Sequence, residues 1–245
     1  MPGDTRIEWT NKTWNPVTGC TKVSPGCDHC YAERLTERFG RDFSEVKLHP
    51  GRLDAPAHWK QPSYIFVNSM SDLFHSEKVP YAYVDQVFDI IRRCPQHVFQ
   101  ILTKRPQRMR HYPGSWPSNA WAGVSIESEA YTWRADFLRK VGAQVRFLSL
   151  EPLLGPLDSL NLEEIQWVIL GGESGPGHRP MNPEWVLDIR DRCRARGIPF
   201  FFKQWGGLTP KSGGRLLEGR TWDEMPPHNV GLPVRIPALR LAPAT

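Results

Sequence analysis

The sequence predicts an α/β fold built as one parallel (β/α) barrel, full or partial and TIM-like, spanning residues 1–245 as a single domain. Three observations predict it. Short runs of four to seven β-branched and aromatic residues recur without strict alternation, as strands covered on both faces require. Longer amphipathic stretches separate them. Polar residues then gather just after the C-terminal end of nearly every run, and in a parallel barrel those ends form one rim.

The elements follow in order. A first strand is expected at 7–9, then a cysteine-bearing loop at 19–31 and a helix over roughly 30–39. Strands are expected at 64–67, 97–102, 120–126, 145–150, 165–170 and 198–202, which brings the count to seven. Helices are expected at about 80–94, 128–141 and 183–196. In the first of these Val84, Val87, Phe88 and Ile91 recur at spacings of three and four; in the last, Trp185, Val186, Ile189 and Cys193 form a similar stripe. Pro and Gly mark 59–62 and 113–117 as loops. Segment 226–245 holds Pro226 and four further prolines with no acidic residue, and reads as irregular. A doubly wound sheet is the alternative, because sequence does not order the strands.

Composition narrows the setting. No uncharged apolar run approaches the roughly 20 residues of a membrane span, and no N-terminal apolar stretch follows a basic segment. Cytoplasmic placement without a membrane partner is expected. Five cysteines are an odd number and too few for a secreted, disulfide-stapled chain. The net charge of +5 arises from 31 basic and 26 acidic residues spread along the chain, and it selects no substrate.

The rim residues are the candidate site. They are Asn68, Ser69 and Asp72, then Thr103, Lys104 and Arg105, Ser125 and Glu127, Glu151, Glu173 and Ser174, and Lys203 and Gln204. Each has a plain alternative as a helix cap or loop brace, most of all Asp72 and Ser174. Gly171-Gly172 before Glu173 would let the backbone approach a ligand. Lys203 ends a run of three phenylalanines, so its ammonium needs a partner, and Glu151 is the candidate, as catalytic or structural pair. Trp9, Trp14 and Trp205 adjoin rim segments and are expected either to wall a pocket or to fill the core.

Cys20, Cys27 and Cys30 are the one cluster that points to a metal. Three thiolates on an eleven-residue loop could hold a four-iron cluster with one iron left open. A structural zinc would need a fourth ligand, from His29, His49 or His58. Cys94 and Cys193 stand alone in helical stretches as small buried residues.

The motifs Ile7-Glu8-Trp9-Thr10, Thr13-Trp14-Asn15-Pro16-Val17-Thr18-Gly19-Cys20 and Cys27-Asp28-His29-Cys30-Tyr31-Ala32-Glu33 resemble the phage Gp37/Gp68 family, a family of unknown function. Matches continue through Asn68-Ser69-Met70-Ser71-Asp72, Leu102-Thr103-Lys104-Arg105, Leu150-Glu151-Pro152-Leu153, Gly171-Gly172-Glu173-Ser174-Gly175 and Phe202-Lys203-Gln204-Trp205-Gly206, covering about 6–226. The family in turn remotely resembles radical S-adenosylmethionine enzymes, so the barrel is expected to be radical-SAM-like. Two departures stand out: six residues, not the superfamily's three, separate the first two cysteines, and Gly-Gly-Glu follows the sixth strand instead of the second.

That resemblance implies a [4Fe-4S] cluster on Cys20, Cys27 and Cys30, with S-adenosyl-L-methionine on the open iron and a 5′-deoxyadenosyl radical abstracting hydrogen from substrate. His29 takes the position of an aromatic near the adenine. Cofactor contacts fall to Asn68, Ser69, Ser125 and Glu127, while Glu173, which motif order does not place on the cofactor's amino group, is a contact only through its Gly-Gly setting; Lys104, Arg105, Lys203 and Gln204 face substrate, and Glu151 steers a proton or holds Lys203. A nucleic acid or nucleotide substrate and an electron-donor protein are the expected partners. The competing reading is a non-catalytic nucleic-acid-binding protein with a zinc or iron–sulfur knuckle. A metal-dependent hydrolase is a further alternative that would need His or carboxylate ligands converging on the rim, where no strand end carries a His-x-His pair.

Overall fold

The computed structural model describes residues 3–75 and 78–227. In chain order the strands are β1 (Lys12–Trp14), the short antiparallel pair β2 (Val17–Thr18) and β3 (Lys47–Leu48), β4 (Tyr64–Val67), β5 (Val98–Thr103), β6 (Ala120–Ser125), β7 (Arg146–Leu150), β8 (Trp167–Gly171) and β9 (Phe200–Gln204). One seven-stranded sheet has the order β1-β4-β5-β6-β7-β8-β9, with every neighbouring pair parallel. The order never reverses, so the doubly wound alternative, which needs a switch point, does not apply. The sheet curls into a partial α/β barrel.

Side-chain alternation divides the strands into two packed faces. Tyr64, Phe66, Val98, Trp121, Phe147, Trp167, Ile169 and Phe201 meet Trp9 on the concave side. Ile65, Val67, Phe99, Ile101, Leu148, Leu150, Val168, Leu170, Phe200 and Phe202 belong to the larger core on the helical side. Each such fully buried side chain contributes about 1.5–3 kcal/mol. The concave aromatics lie mostly at the N-terminal halves of their strands and floor the barrel. Trp9 sits 4.7 Å from Phe66 and 6.2 Å from Trp167, centroid to centroid.

The first strand differs from expectation: it is Lys12–Trp14, while residues 7–9 form a turn. Trp9 instead inserts its indole under the barrel, against Phe66, Phe147 and Trp167. Helices α1 (Tyr31–Arg38), α2 (Tyr81–Arg93), α3 (Pro106–Arg110), α4 (Arg134–Arg139) and α5 (Pro183–Ala195) follow, of which α3 was not expected. The 128–141 stretch divides into a 3-10 turn at Glu129–Tyr131 and α4. Between β7 and β8 no helix forms; Leu153, Leu157, Leu160 and Leu162, each at most 2% exposed, cover the sheet instead. Beyond residue 227, the expected irregular tail lies outside the described residues. Among the described residues no helix is long and apolar enough to cross a membrane.

Candidate active site at the cysteine loop

The chain leaves β2 through Gly19, whose φ of +85° and contact with the Glu45 carbonyl exclude a side chain. Backbone bonds from Gly19 to Met70 and from Cys20 to Phe43 then dock the start of the cysteine loop on the rim. Cys20, Cys27 and Cys30, all partly exposed and free, line one cavity of about 160 Å³. Asn68, Ser69, Lys104, Arg105 and Ser125 share its wall, with Phe43, Phe66 and Leu102 supplying apolar surface. Residues up to 105 positions apart in sequence thus meet where the parallel strands end.

Arg105 braces the first cysteine. Its Nη1 lies 3.4 Å from Cys20 Sγ and 3.1 Å from Asp72 Oδ2, while Nη2 donates to the Thr21 carbonyl at 2.9 Å. Asp72 also accepts from Thr103 Oγ1, Phe74 N and Lys104 N, so this buried residue braces the loop backbone at the rim, which is the plain alternative weighed for it. Burial, with the charge of Asp72, pushes the Cys20 thiol up to about 11, against the opposing pull of Arg105.

Three carboxylates sit at the rim without lining this cavity. Glu127 is fully buried and accepts from Arg134 Nη1 at 2.8 Å, leaving its Oε1 unpartnered. Gly26 of the cysteine loop packs on the Glu127 side chain so closely that a Cβ there would fall 3.0 Å from the carboxyl carbon. Glu173 accepts from Arg179 N and Nε, each at 2.9 Å, and its Oε2 is 2.9 Å from His29 Nδ1. Burial opposes its ionisation, but the Arg179 and His29 hydrogen bonds prevail and hold the carboxyl down at about 2. Glu151 forms the ion pair expected of it, 2.6 Å from Lys203 Nζ, each side chain about one-fifth exposed. Gly171 makes room for the pair: a Cβ there would lie 3.3 Å from Glu151 and 3.4 Å from Lys203.

Gln204 is buried between loops, donating to Ser174 Oγ at 2.8 Å and accepting from Lys211 N at 2.9 Å. None of the three tryptophans lines the cavity: Trp9 floors the barrel, Trp14 Nε1 donates to the Arg52 carbonyl, and Trp205 Nε1 to that of Leu216. The histidines weighed as zinc ligands face elsewhere too. His29 meets Glu173, His49 Nε2 lies 2.8 Å from Thr18 Oγ1, and His58 pairs with Asp54. Among the described residues no three His, Cys, Asp or Glu side chains converge as a single-ion site requires. Sequence reasoning missed Arg134 and Arg179. Their only signal is a basic residue six or seven positions after a strand-end carboxylate, which becomes meaningful once that carboxylate is known to be buried.

Residues 4–226 match a family described as "Protein of unknown function (DUF5131)". The chain belongs to the DUF5131 family. No curated protein matches its sequence significantly. Among solved structures, a spore photoproduct lyase carrying a cysteine-to-serine mutation is similar to this DUF5131 chain, with a TM-score of 0.51 at 14% identity. The likeness covers 78% of the DUF5131 chain and 63% of the lyase chain. The DUF5131 chain therefore spans less than two thirds of that lyase's length, and at this identity the likeness shows the fold alone.

Proposed function

We propose that this protein is a radical S-adenosylmethionine enzyme of the cytoplasm, related to the phage Gp37/Gp68 proteins. In this reading Cys20, Cys27 and Cys30 hold a [4Fe-4S] cluster, S-adenosyl-L-methionine binds its open iron, and a nucleic acid or nucleotide is the substrate. One observation carries it: the three thiols line a single cavity at the C-terminal rim of a partial parallel barrel. The donor set fits the group. Three soft ligands line one cavity, and among the described residues no further cysteine and no histidine lines it as a zinc site would need. The lyase likeness supports the fold side of the reading.

When bound, the cluster would supply one electron for cleavage of the cofactor's C–S bond. The chain's own residues supply placement and shelter. Asn68 is 3% exposed, lines the cavity and has a buried Nδ2 with no hydrogen-bond partner, so both of its N–H donors are left for a cofactor oxygen. Ser69 and Ser125 line the same cavity, and Lys104 brings a positive charge for a cofactor carboxylate or an anionic substrate. Arg105 acts on the cluster side through Cys20. Phe43, Phe66 and Leu102 keep water from the reacting face. Glu127 and Glu173 fix the wall through Arg134 and Arg179, while the Glu151–Lys203 pair has a proton to give or take beside the substrate. An electron-donor protein completes the cycle.

The test is product formation. Anaerobic, reduced, iron-loaded protein incubated with S-adenosylmethionine should release 5′-deoxyadenosine, and Asn68→Ala should weaken cofactor binding in calorimetry. Loaded protein that neither binds the cofactor nor yields 5′-deoxyadenosine would remove the proposal.

A further inference from the structure

The cysteine loop has little that could hold it in place by itself. Residues 20–30 contain one 3-10 turn, Pro25–Cys27, and none of the eleven is buried. Apart from the contact of Gly26 with Glu127, packing does little to fix where Cys27 and Cys30 stand, and polar ties carry most of it.

Those ties come from the segment after β8. Glu173 is 4% exposed at its side chain and gathers three donors of Arg179 together with His29. The same guanidinium reaches out of this cluster into the loop: Nη2 donates to the Pro25 carbonyl at 2.9 Å, and Nη1 lies 3.7 Å from Asp28 Oδ2. One planar cation thus joins a buried carboxylate at a strand end to both flanks of Cys27. Arg34, in the first turn of α1 after Cys30, donates to the Ser174 carbonyl of the same segment. Its guanidinium occupies the space where Gly175 would carry a side chain, and Gly175 has a φ of +115°.

We infer that Arg179, seated on Glu173, is the positioning residue that holds Cys27 and Cys30 in register with Cys20 for cluster binding. The inference rests on the cluster reading for its purpose, but the tie itself is independent of any metal. Cys20 has a separate brace in Arg105, 3.4 Å away, so loss of Arg179 should loosen one end of the loop and spare the other. Lysine cannot replace it. An ammonium lacks the planar fork that binds Glu173 and the Pro25 carbonyl together.

The test compares wild type, Arg179→Ala, Arg179→Lys and Glu173→Gln as full-length, metal-free protein. Alkylation of each cysteine is followed by mass spectrometry. Cys94 and Cys193, 1% and 0% exposed, report on general unfolding. Expected is a rise of about tenfold at Cys27 and Cys30 in both Arg179 variants, with Cys20, Cys94 and Cys193 unchanged; Glu173→Gln should move the same two sites by less. Iron-loaded variants should also lose iron to a chelator about tenfold faster than wild type. Unchanged rates at Cys27 and Cys30, or equal acceleration at all five cysteines, would overturn the inference. If wild type takes up no iron, the cluster reading fails alone, and the alkylation pattern still decides the role of Arg179.

Discussion

Asp72 and Arg105 form the tie between strand ends and cysteine loop: the guanidinium Nη1 stands 3.1 Å from Asp72 Oδ2 and 3.4 Å from Cys20 Sγ, with both side chains at most 10% exposed. Removing this buried carboxylate takes an acceptor away from four donors: Thr103 Oγ1, Phe74 N, Lys104 N and Arg105 Nη1. Asp72→Ala should destabilise the protein by about 3–5 kcal/mol in urea unfolding. A loss below about 1 kcal/mol would show that the network is relaxed by water.

Glu173 predicts the acid limb of stability. Its folded value of about 2 lies below its ordinary 4.5, so the folded state favours the charged form. The contribution is fully present above about pH 4.5 and is lost as pH falls towards 2, with a ceiling of about 3 kcal/mol. Unfolding free energies measured from pH 7 to pH 3 should fall more steeply in wild type than in Glu173→Gln. Parallel curves would contradict the assignment.

Gly123 is pinned by Phe147. An added Cβ would lie 2.3 Å from the ring's Cζ, and Phe147 is fully buried inside the barrel. Gly123→Ala should cost about 1–3 kcal/mol through overpacking, and a combined Phe147→Leu change should recover part of it. A neutral Gly123→Ala would mean that the ring has room to move.

For the Glu151–Lys203 pair, a double-mutant cycle with Glu151→Gln and Lys203→Met should give a coupling of about 1 kcal/mol, as the 2.6 Å contact is only partly exposed. Additive losses would show that the two side chains do not depend on one another.

Much of this was legible in the sequence because strand periodicity is rigid. Asn68, Ser125, Glu151 and Lys203 fall on the same parity as the inward-facing Phe66, Trp121, Phe147 and Phe201, so a strand-end polar residue of that parity had to face the concave side. The cysteine spacing likewise placed three thiols on one loop. What stayed hidden is set by loops. Arg134 and Arg179 obey no period, and their worth depends on the buried carboxylates they meet. Trp9 looked like strand because it is apolar, although its ring is drawn beneath the barrel by Phe66, Phe147 and Trp167. The five residues of α3 are too few to show a stripe, and only Pro106 at its first position marks the start.

A cluster held jointly by Cys20, Cys27 and Cys30 is read out by the metal and sulfide content of protein purified and reconstituted without oxygen. About four irons and four sulfides per chain are predicted. They should be lost on Cys20→Ala, Cys27→Ala or Cys30→Ala and retained on Cys94→Ala. One zinc per chain that resists reconstitution, or iron that survives each of the three substitutions, would rule the cluster out.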